Sequence, residues 1–276
     1  MKPKSFTYVR PGDLDEAVQA LGRWREDARI LAGGQSLVPM MNFRLVEAKA
    51  LIDISGIVPL AYVRERNGEI EIGASTTQAQ FMASPQLAER APLLSAAMPH
   101  VGHFQTRSRG TVCGSIAHSD PSSELPLCLA TLGGSVVLRS PSGTRVLAAR
   151  DFQTGMLSTA RRPEEVIAAV RFPTRAPGTG YAFAEMAQRH GDFAICAVAA
   201  VVSASSIRLG VGGVADRPTV RDWSGLADGE LDDALNDFAW DLGGTDDAHA
   251  TATYRRELVR RLGRRVIEEA KHARAA

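Results

Sequence analysis

Two hydrophobic rhythms organise the chain. Leu14, Ala17, Val18, Leu21 and Trp24 recur at helical spacing, so a helix beginning at Asp13 should bury one face. Asp13 stands where an N-cap belongs, and Glu16 follows three residues on, the spacing of a capping box. Short apolar runs at 5–9, 29–32 and 50–54 predict strands. Residues 61–66 and 69–74 bracket Asn67-Gly68, the strongest short hairpin signal. Thr76-Thr77 and Ser84-Pro85 read as helix starts, and 93–98 as a buried helix ending near Pro99. A further helix starts at Ser122 or Ser123, carries Pro126 in its first turn and ends at Gly133-Gly134. A hairpin follows around Pro141-Ser142-Gly143, with arms 135–139 and 144–148, then a strand at 166–172 closed by Pro173. The Pro- and Gly-rich segment 174–180 marks a boundary. Beyond it, 181–186, the apolar run to Val202 and 206–214 are strand-like, Ala227 onwards turns helical, and 248–273 forms a long basic helix.

Two stretches fit neither rhythm. Ala32-Gly33-Gly34-Gln35-Ser36-Leu37 follows the apolar Ile30-Leu31 and precedes a short helix through Phe43. Strand, glycine turn and helix start in that order leave main-chain N–H groups and a positive dipole end facing the turn. A plain strand-to-helix turn accounts for the glycines equally well. Arg109 to Pro126, RGTVCGSIAHSDPSSELP, is longer and reads as a loop of small and polar residues before an apolar helix. Small residues let amides approach an anion without side-chain interference, and the hydroxyls of Thr111 and Ser115 add donors. Two such loops in one chain suggest one anionic ligand held from two sides, such as a nucleotide pyrophosphate.

Bulk properties narrow the field. The chain has 276 residues, 45% hydrophobic, enough for more than one subdomain. A net charge of +1 exerts no general pull towards nucleic acid or membrane. No apolar run is long enough for a transmembrane helix, and the N-terminus has no signal-peptide core. Three scattered cysteines (Cys113, Cys128, Cys196) argue against a disulfide framework and for a cytoplasmic protein. They are also too few for an iron–sulfur cluster. His100-x-x-His103 lacks a third ligand at metal-site spacing, so these histidines read as structural. Neither a P-loop nor a Gly-x-Gly-x-x-Gly fingerprint is present. The arginines at 255, 256, 260, 261, 264 and 265 read as a solvated helix face, with docking of an acidic partner as the alternative.

The polar stretches carry a family resemblance. Ala32-Gly33-Gly34-Gln35-Ser36-Leu37 resembles the first glycine loop of the FAD-binding medium subunits of molybdenum hydroxylases, the carbon monoxide dehydrogenase and xanthine dehydrogenase family. Arg109 to Ser115 resembles the second loop, and Ala117 to Pro126 its continuation. Arg189 to Ala194 and Asp247 to Arg256 are similar to two later family segments. The resemblance implies an α+β fold of vanillyl-alcohol-oxidase (PCMH) type. Two FAD-binding subdomains, residues 1–57 and 58–175, would precede a C-terminal subdomain of antiparallel sheet and helices, residues 176–276. It implies FAD held at its pyrophosphate by Ala32, Gly33, Gly34, Gln35, Ser36, Leu37, Thr111, Gly114 and Ser115, with Leu31 a further cofactor-binding residue. Val101, Gly102, His118, Asp120, Ser123 and Glu124 would lie along the cofactor, with a carboxylate at 120 or 124 accepting from a hydroxyl. Val166 and Ile167 would pack on it, and Asp192 and Phe193 would stand near the isoalloxazine.

One position departs from the family pattern: Cys113 replaces the first of two glycines. This implies that residue 113 tolerates a side chain while Gly114 makes the close approach, with Cys113 an inert small residue rather than a redox group. The function implied is an electron-transfer subunit with no side-chain acid or base. Its partners would be a small iron–sulfur subunit and a large molybdopterin subunit, two copies of each. A self-contained flavin oxidase and a non-catalytic FAD-binding assembly module are the alternatives.

Overall fold

A computed structural model describes residues 2–275. The chain begins with β1 (Thr7–Val9), α1 (Leu14–Trp24), β2 (Ala28–Leu31), α2 (Leu37–Asn42) and β3 (Ala50–Asp53). The strands form a parallel sheet in the order β1-β3-β2. α1 buries Ala17, Val18 and Leu21 against Ile52 and Ile54. Asp13 caps α1 by accepting from the Glu16 N–H at 2.8 Å. The reciprocal half of the expected capping box is shifted: Glu16 Oε2 accepts from Gly12 N–H at 2.7 Å instead of from Asp13.

A hairpin follows, β4 (Val63–Arg66) and β5 (Glu69–Gly73), turning through Asn67 and Gly68 at φ 53° and 74°. That pair of left-handed residues is what a tight hairpin turn demands. Then come α3 (Gln78–Met82), α4 (Pro85–Arg90), α5 (Pro92–Ala97), α6 (Phe104–Arg109), α7 (Val112–His118) and α8 (Glu124–Leu132). The expected loop after Arg109 is therefore helical for seven residues. Thr111 starts α7 by accepting from Gly114 N–H at 2.9 Å, and Val112, Cys113 and Ile116 bury its inner side. Ser123 stands at the N-cap of α8 but its hydroxyl makes no capping bond. Next are β6 (Ser135–Ser140), β7 (Gly143–Ala148), α9 (Ala149–Phe152), β8 (Gln153–Gly155), β9 (Ser158–Thr159) and β10 (Val166–Pro173). β10 is the centre of an antiparallel sheet ordered β4-β5-β10-β6-β7.

The last part is a meander of β11 (Gly180–Ala187), β12 (Ala194–Val202), β13 (Ser206–Gly212) and β14 (Thr219–Ser224), followed by α10 (Leu231–Asp241) and α11 (Ala252–Ala275). α11 covers one face through Val259, Val266 and Ile267 against Ala182, Ala184 and Val198. α5 and α8 cover the other, against Phe183, Ala197 and Ala199. β12 is thus buried on both faces, which its unbroken apolar sequence reflects. Gly210 lets α8 come close to β13: a Cβ there would fall 1.9 Å from Thr131 Oγ1.

α11 begins at Ala252, later than the sequence suggests, because Asp246 and Asp247 hold residues 249–252 in a capped turn. Its exposed arginines are largely neutralised by neighbours: Arg261 pairs with Glu257, Arg264 with Asp232 and Arg265 with Glu269. Arg255 does not belong to that face. It is 4% exposed and donates to the carbonyls of Ile195 (2.6 Å) and Gly213 (2.5 Å) and to Asp247 (2.6 Å). Among the described residues, no helix is long and apolar enough to cross a membrane.

Candidate functional site: two glycine loops on one groove

The first glycine loop carries the chain from the end of β2 into α2. Gly34 takes φ 73°, and its carbonyl accepts from Val38 N–H at 3.1 Å. Among the described residues the N–H groups of Gly33, Gly34, Gln35 and Ser36 have no hydrogen-bond partner within the chain. The first three of these residues border an open groove of about 440 Å³, lined by Leu31 to Gln35, Val38, Pro39, Asp53, Ser55 and Arg109. Three unsatisfied amides and a guanidinium form a donor set for an anion. Asp53 supplies the opposite character at the end of β3. Burial works against its charge, but hydrogen bonds from Tyr8 Oη and from Ser55 N–H (2.9 Å) win and hold the carboxyl below its ordinary range. It is an acceptor suited to a hydroxyl or amine.

The second loop meets the first directly. A Cβ on Gly33 would lie 2.2 Å from the Arg109 carbonyl oxygen and 2.7 Å from Gly110 Cα. Glycine is therefore required at 33 for the two main chains to touch. On the far side of this contact Thr111 opens α7, whose seven residues span about 10 Å. α7 ends in Ser119, which adopts φ 52° and is fully buried. Asp120 Oδ1 then accepts from Ser122 N–H at 2.8 Å and its carbonyl from Ser123 N–H at 3.1 Å, a turn that leads into α8. Glu124, the first residue of α8, is 7% exposed, and burial pushes its carboxyl up to about 7.

A third segment closes on this end. Gly191 takes φ 87°, and a Cβ there would lie 2.5 Å from the His103 ring and 3.1 Å from the Gly102 carbonyl oxygen. The Val101–His103 turn and the Gly191–Phe193 loop are thus in contact, with Phe193 64% exposed beside them. The residues present fit an elongated dinucleotide. They offer anion donors at the groove, a carboxylate beyond the first loop, and an aromatic ring at the other end.

Comparison with known proteins identifies the ligand. Residues 4–175 match the family described as the FAD binding domain in molybdopterin dehydrogenase. Residues 181–270 match the CO dehydrogenase flavoprotein C-terminal domain. The chain belongs to the FAD-binding medium subunits of the molybdenum hydroxylases. It is 36% identical to the nicotine 6-hydroxylase medium subunit of Paenarthrobacter nicotinovorans, covering 98% of this chain and 99% of that protein. It is 35% identical to the carbon monoxide dehydrogenase medium chain of Afipia carboxidovorans, covering 98% of each. Reconstituted CO dehydrogenase from Oligotropha carboxidovorans contains a chain that superposes with a TM-score of 0.94 at 34% identity, covering 99% of this chain and all of that one. Quinoline 2-oxidoreductase from Pseudomonas putida 86 gives 0.93 at 31%, covering 100% of both chains.

In this medium subunit the residues read from the sequence fall into two neighbourhoods joined by α7. Leu31, Ala32, Gly33, Gly34 and Gln35 line the groove, and Ser36 and Leu37 begin α2 beside it. Thr111, Gly114, Ser115 and His118 lie along α7 or cap it. Asp120, Ser123 and Glu124 gather beyond its end, whereas Val101, Gly102, Asp192 and Phe193 come from the loop pair. Val166 is fully buried among Ile54 and Ala74, so its side chain has no free surface for a ligand; Ile167 points into the neighbouring core at 5% exposure. Cys113 sits inside α7 in ordinary helical backbone, its thiol 3.5 Å from the Ile72 carbonyl oxygen and pushed far up by burial. That is an inert environment. Asp53, Ser55, Val38 and Pro39 were not anticipated. Only Asp53, a lone carboxylate inside an apolar strand, carried a sequence signal of its own.

Proposed function

We propose that this chain is the flavin relay of a heteromeric molybdenum hydroxylase. A small subunit would deliver electrons from iron–sulfur clusters, a large molybdopterin subunit would oxidise the substrate, and two copies of each subunit would assemble in the cytoplasm. FAD, when bound, supplies the exchange between electron pairs and single electrons. The chain supplies position. Amides of the Gly33–Ser36 loop and Arg109 would hold the pyrophosphate, while Thr111, Gly114 and Ser115 would flank it. Asp53 is placed to accept from the nucleoside end, and the Val101–His103 and Gly191–Phe193 loops would frame the ring. We read residues 1–57 and 58–175 as the two clasping units and 176–276 as the third. The observation that carries this reading is the Gly33 contact with Arg109–Gly110, which brings the unpaired amides of the first loop and Arg109 of the second onto one groove.

The test is the flavin content of the purified chain. We expect one FAD per chain, and at least tenfold weaker FAD binding in Gly33→Val, whose Cβ would drive the loops apart. Gly114→Leu is the second variant, because a Cβ at 114 would lie 2.6 Å from the capping Thr111 Oγ1. A wild-type chain that takes up no FAD, even with its partner subunits present, would refute the reading.

A further inference from the structure

Residues 188–193 join β11 to β12, and few polar contacts hold them. Past the strand ladder, which ends at Ala187 and Ala194, their single hydrogen bond among the described residues is internal, from Asp192 N–H to the Arg189 carbonyl oxygen at 3.1 Å. Imidazoles seat the loop instead. Gly191 rests on the His103 ring, and the exposed ring of His190 lies 5.9 Å from the part-exposed ring of His100. His100 is backed by Phe183, 5.4 Å away between ring centroids, and its Nδ1 lies 3.2 Å from Glu185 Oε1. Three of the chain's six histidines thus converge on one short loop.

Glu185, the sixth residue of β11, is the acid that touches these rings. Its side chain is 3% exposed, on the face of Phe183 towards α5 and α8. Burial pushes its carboxyl up to about 8, while burial and the neighbouring His190 push His100 down. At neutral pH the His100–Glu185 contact therefore holds one proton and no net charge, whichever atom carries it. One further proton makes the contact positive, and a proton on His190 makes its neighbour positive too. His103, under Gly191, adds a third charge on acidification. The surrounding elements offset little of this. α8 presents Glu124, pushed up to about 7 by burial and so itself protonated in acid, and the Cys128 thiol, pushed far up. The turn before α8 presents Asp120, whose charge bears on Glu124. α6 presents Arg107, which donates to the carbonyls of Val101 (2.9 Å) and Gly102 (2.8 Å). α5 has no ionisable group, and β12 faces the cluster with Ala197 and Ala199. The loop itself carries Arg189 and Asp192, one charge of each sign and both exposed.

We propose that His100 and His190 form an acid-released latch: as neutral rings they keep residues 188–193 closed on His103, and with a proton on each they push the loop away from the flavin end of the site. The latch stands on the chain alone, and its effect on a flavin rests on the cofactor reading given above. The protons come from water, and no other bond changes. Gly191 supplies the hinge, because φ 87° is a conformation glycine adopts freely. His190 is the ring that moves, since it is exposed on the loop, whereas His100 is anchored between Phe183 and Glu185.

The test follows the contact between the His103 ring and Gly191 by nuclear Overhauser intensities in the full chain without FAD. Wild type, His190→Gln and His100→Gln are compared from about pH 7.5 to about pH 5.5, the range in which histidines charge. In wild type the closed-to-open ratio of the loop should fall about threefold or more, the repulsion of two unit charges at this separation even in a water-like medium. It should stay level in both variants, each of which removes one of the two charges, and either variant suffices if the other misfolds. A constant ratio in wild type while both rings gain protons would overturn the proposal. An equal fall in wild type and in both variants would do the same, because the repelling pair would then not be the cause. With FAD bound, iodide quenching of the flavin fluorescence should rise over the same range. Loop opening without that rise would uphold the latch and overturn the placing of the flavin ring behind it. A chain that binds no FAD would overturn the flavin reading and leave the loop measurement standing.

Discussion

Glu185 sets the sign of a pH dependence that needs no cofactor to observe. Its carboxyl is raised to about 8 in the folded chain, above its unfolded value, so the native state holds a proton that the unfolded state releases. Stability should therefore fall as pH rises from about 5 to about 8 and level off above, by up to about 1.4 kcal/mol per pH unit for one such group. Glu185→Gln should flatten that slope and stabilise the chain at pH 8, as read from urea unfolding midpoints at several pH values. Glu71 and Glu165 act in the opposite sense. Burial opposes their charge, but bonds from Arg171 and Tyr62 to Glu71, and from Arg145 to Glu165, hold both below their ordinary range. Their contribution is present at neutral pH and lost on acidification through those lowered values. The glycines of both loops stood out in the sequence as sites of close approach, although a plain strand-to-helix turn explained the first pair equally well; the Gly33 contact decides between the two. Glu185 did not stand out, since a glutamate in an alternating strand reads as a solvent-facing position; the covering α5 and α8 are distant in sequence.

Elements were easiest to read where one periodicity ruled. α1, the Asn67-Gly68 hairpin and the arms of β6 and β7 lie where the pattern puts them. α7 was hidden because its glycine, serine and cysteine suppress the apolar period, and its start depends on the Thr111 hydroxyl reaching Gly114. β14 escaped because Thr219 to Ser224 mixes polar and aromatic residues, as an edge strand with one partner can. The glycine at 210 joins two elements, so Gly210→Val should push α8 off β13 and cost about 2 kcal/mol, checked by thermal unfolding. Since α8 begins at Glu124, FAD affinity should fall in the same variant. Arg255 ties α11 to the end of β12 and to the Gly213 turn. Arg255→Ala strands two buried carbonyls and frees Asp247, which should cost about 3 kcal/mol by denaturant titration.

At the scale of the molecule, α1 joins the first sheet to the second, α8 joins the second to the third, and the groove lies where the end of the first sheet meets Arg109. A ligand bound across that seam stabilises the docked state. FAD at 100 times its Kd should raise the unfolding free energy by about 2.7 kcal/mol, and Gly33→Val should show no such gain, as measured by denaturant titration with and without FAD. Which loops face each other could not be read from periodicity, because the partners are more than seventy residues apart. The family resemblance supplied that pairing, and the Gly33 contact gives its physical reason. The same contact makes the pigment a reporter. The first sheet and the rest share a core in which Ile54 meets Ala74 and Val166, and the turn between them leaves Val58 79% exposed. Cut at that turn, the chain would become two colourless pieces, and only their reunion would rebuild the seat and turn the solution yellow. Split in this way, the protein is a complementation probe that carries its own dye.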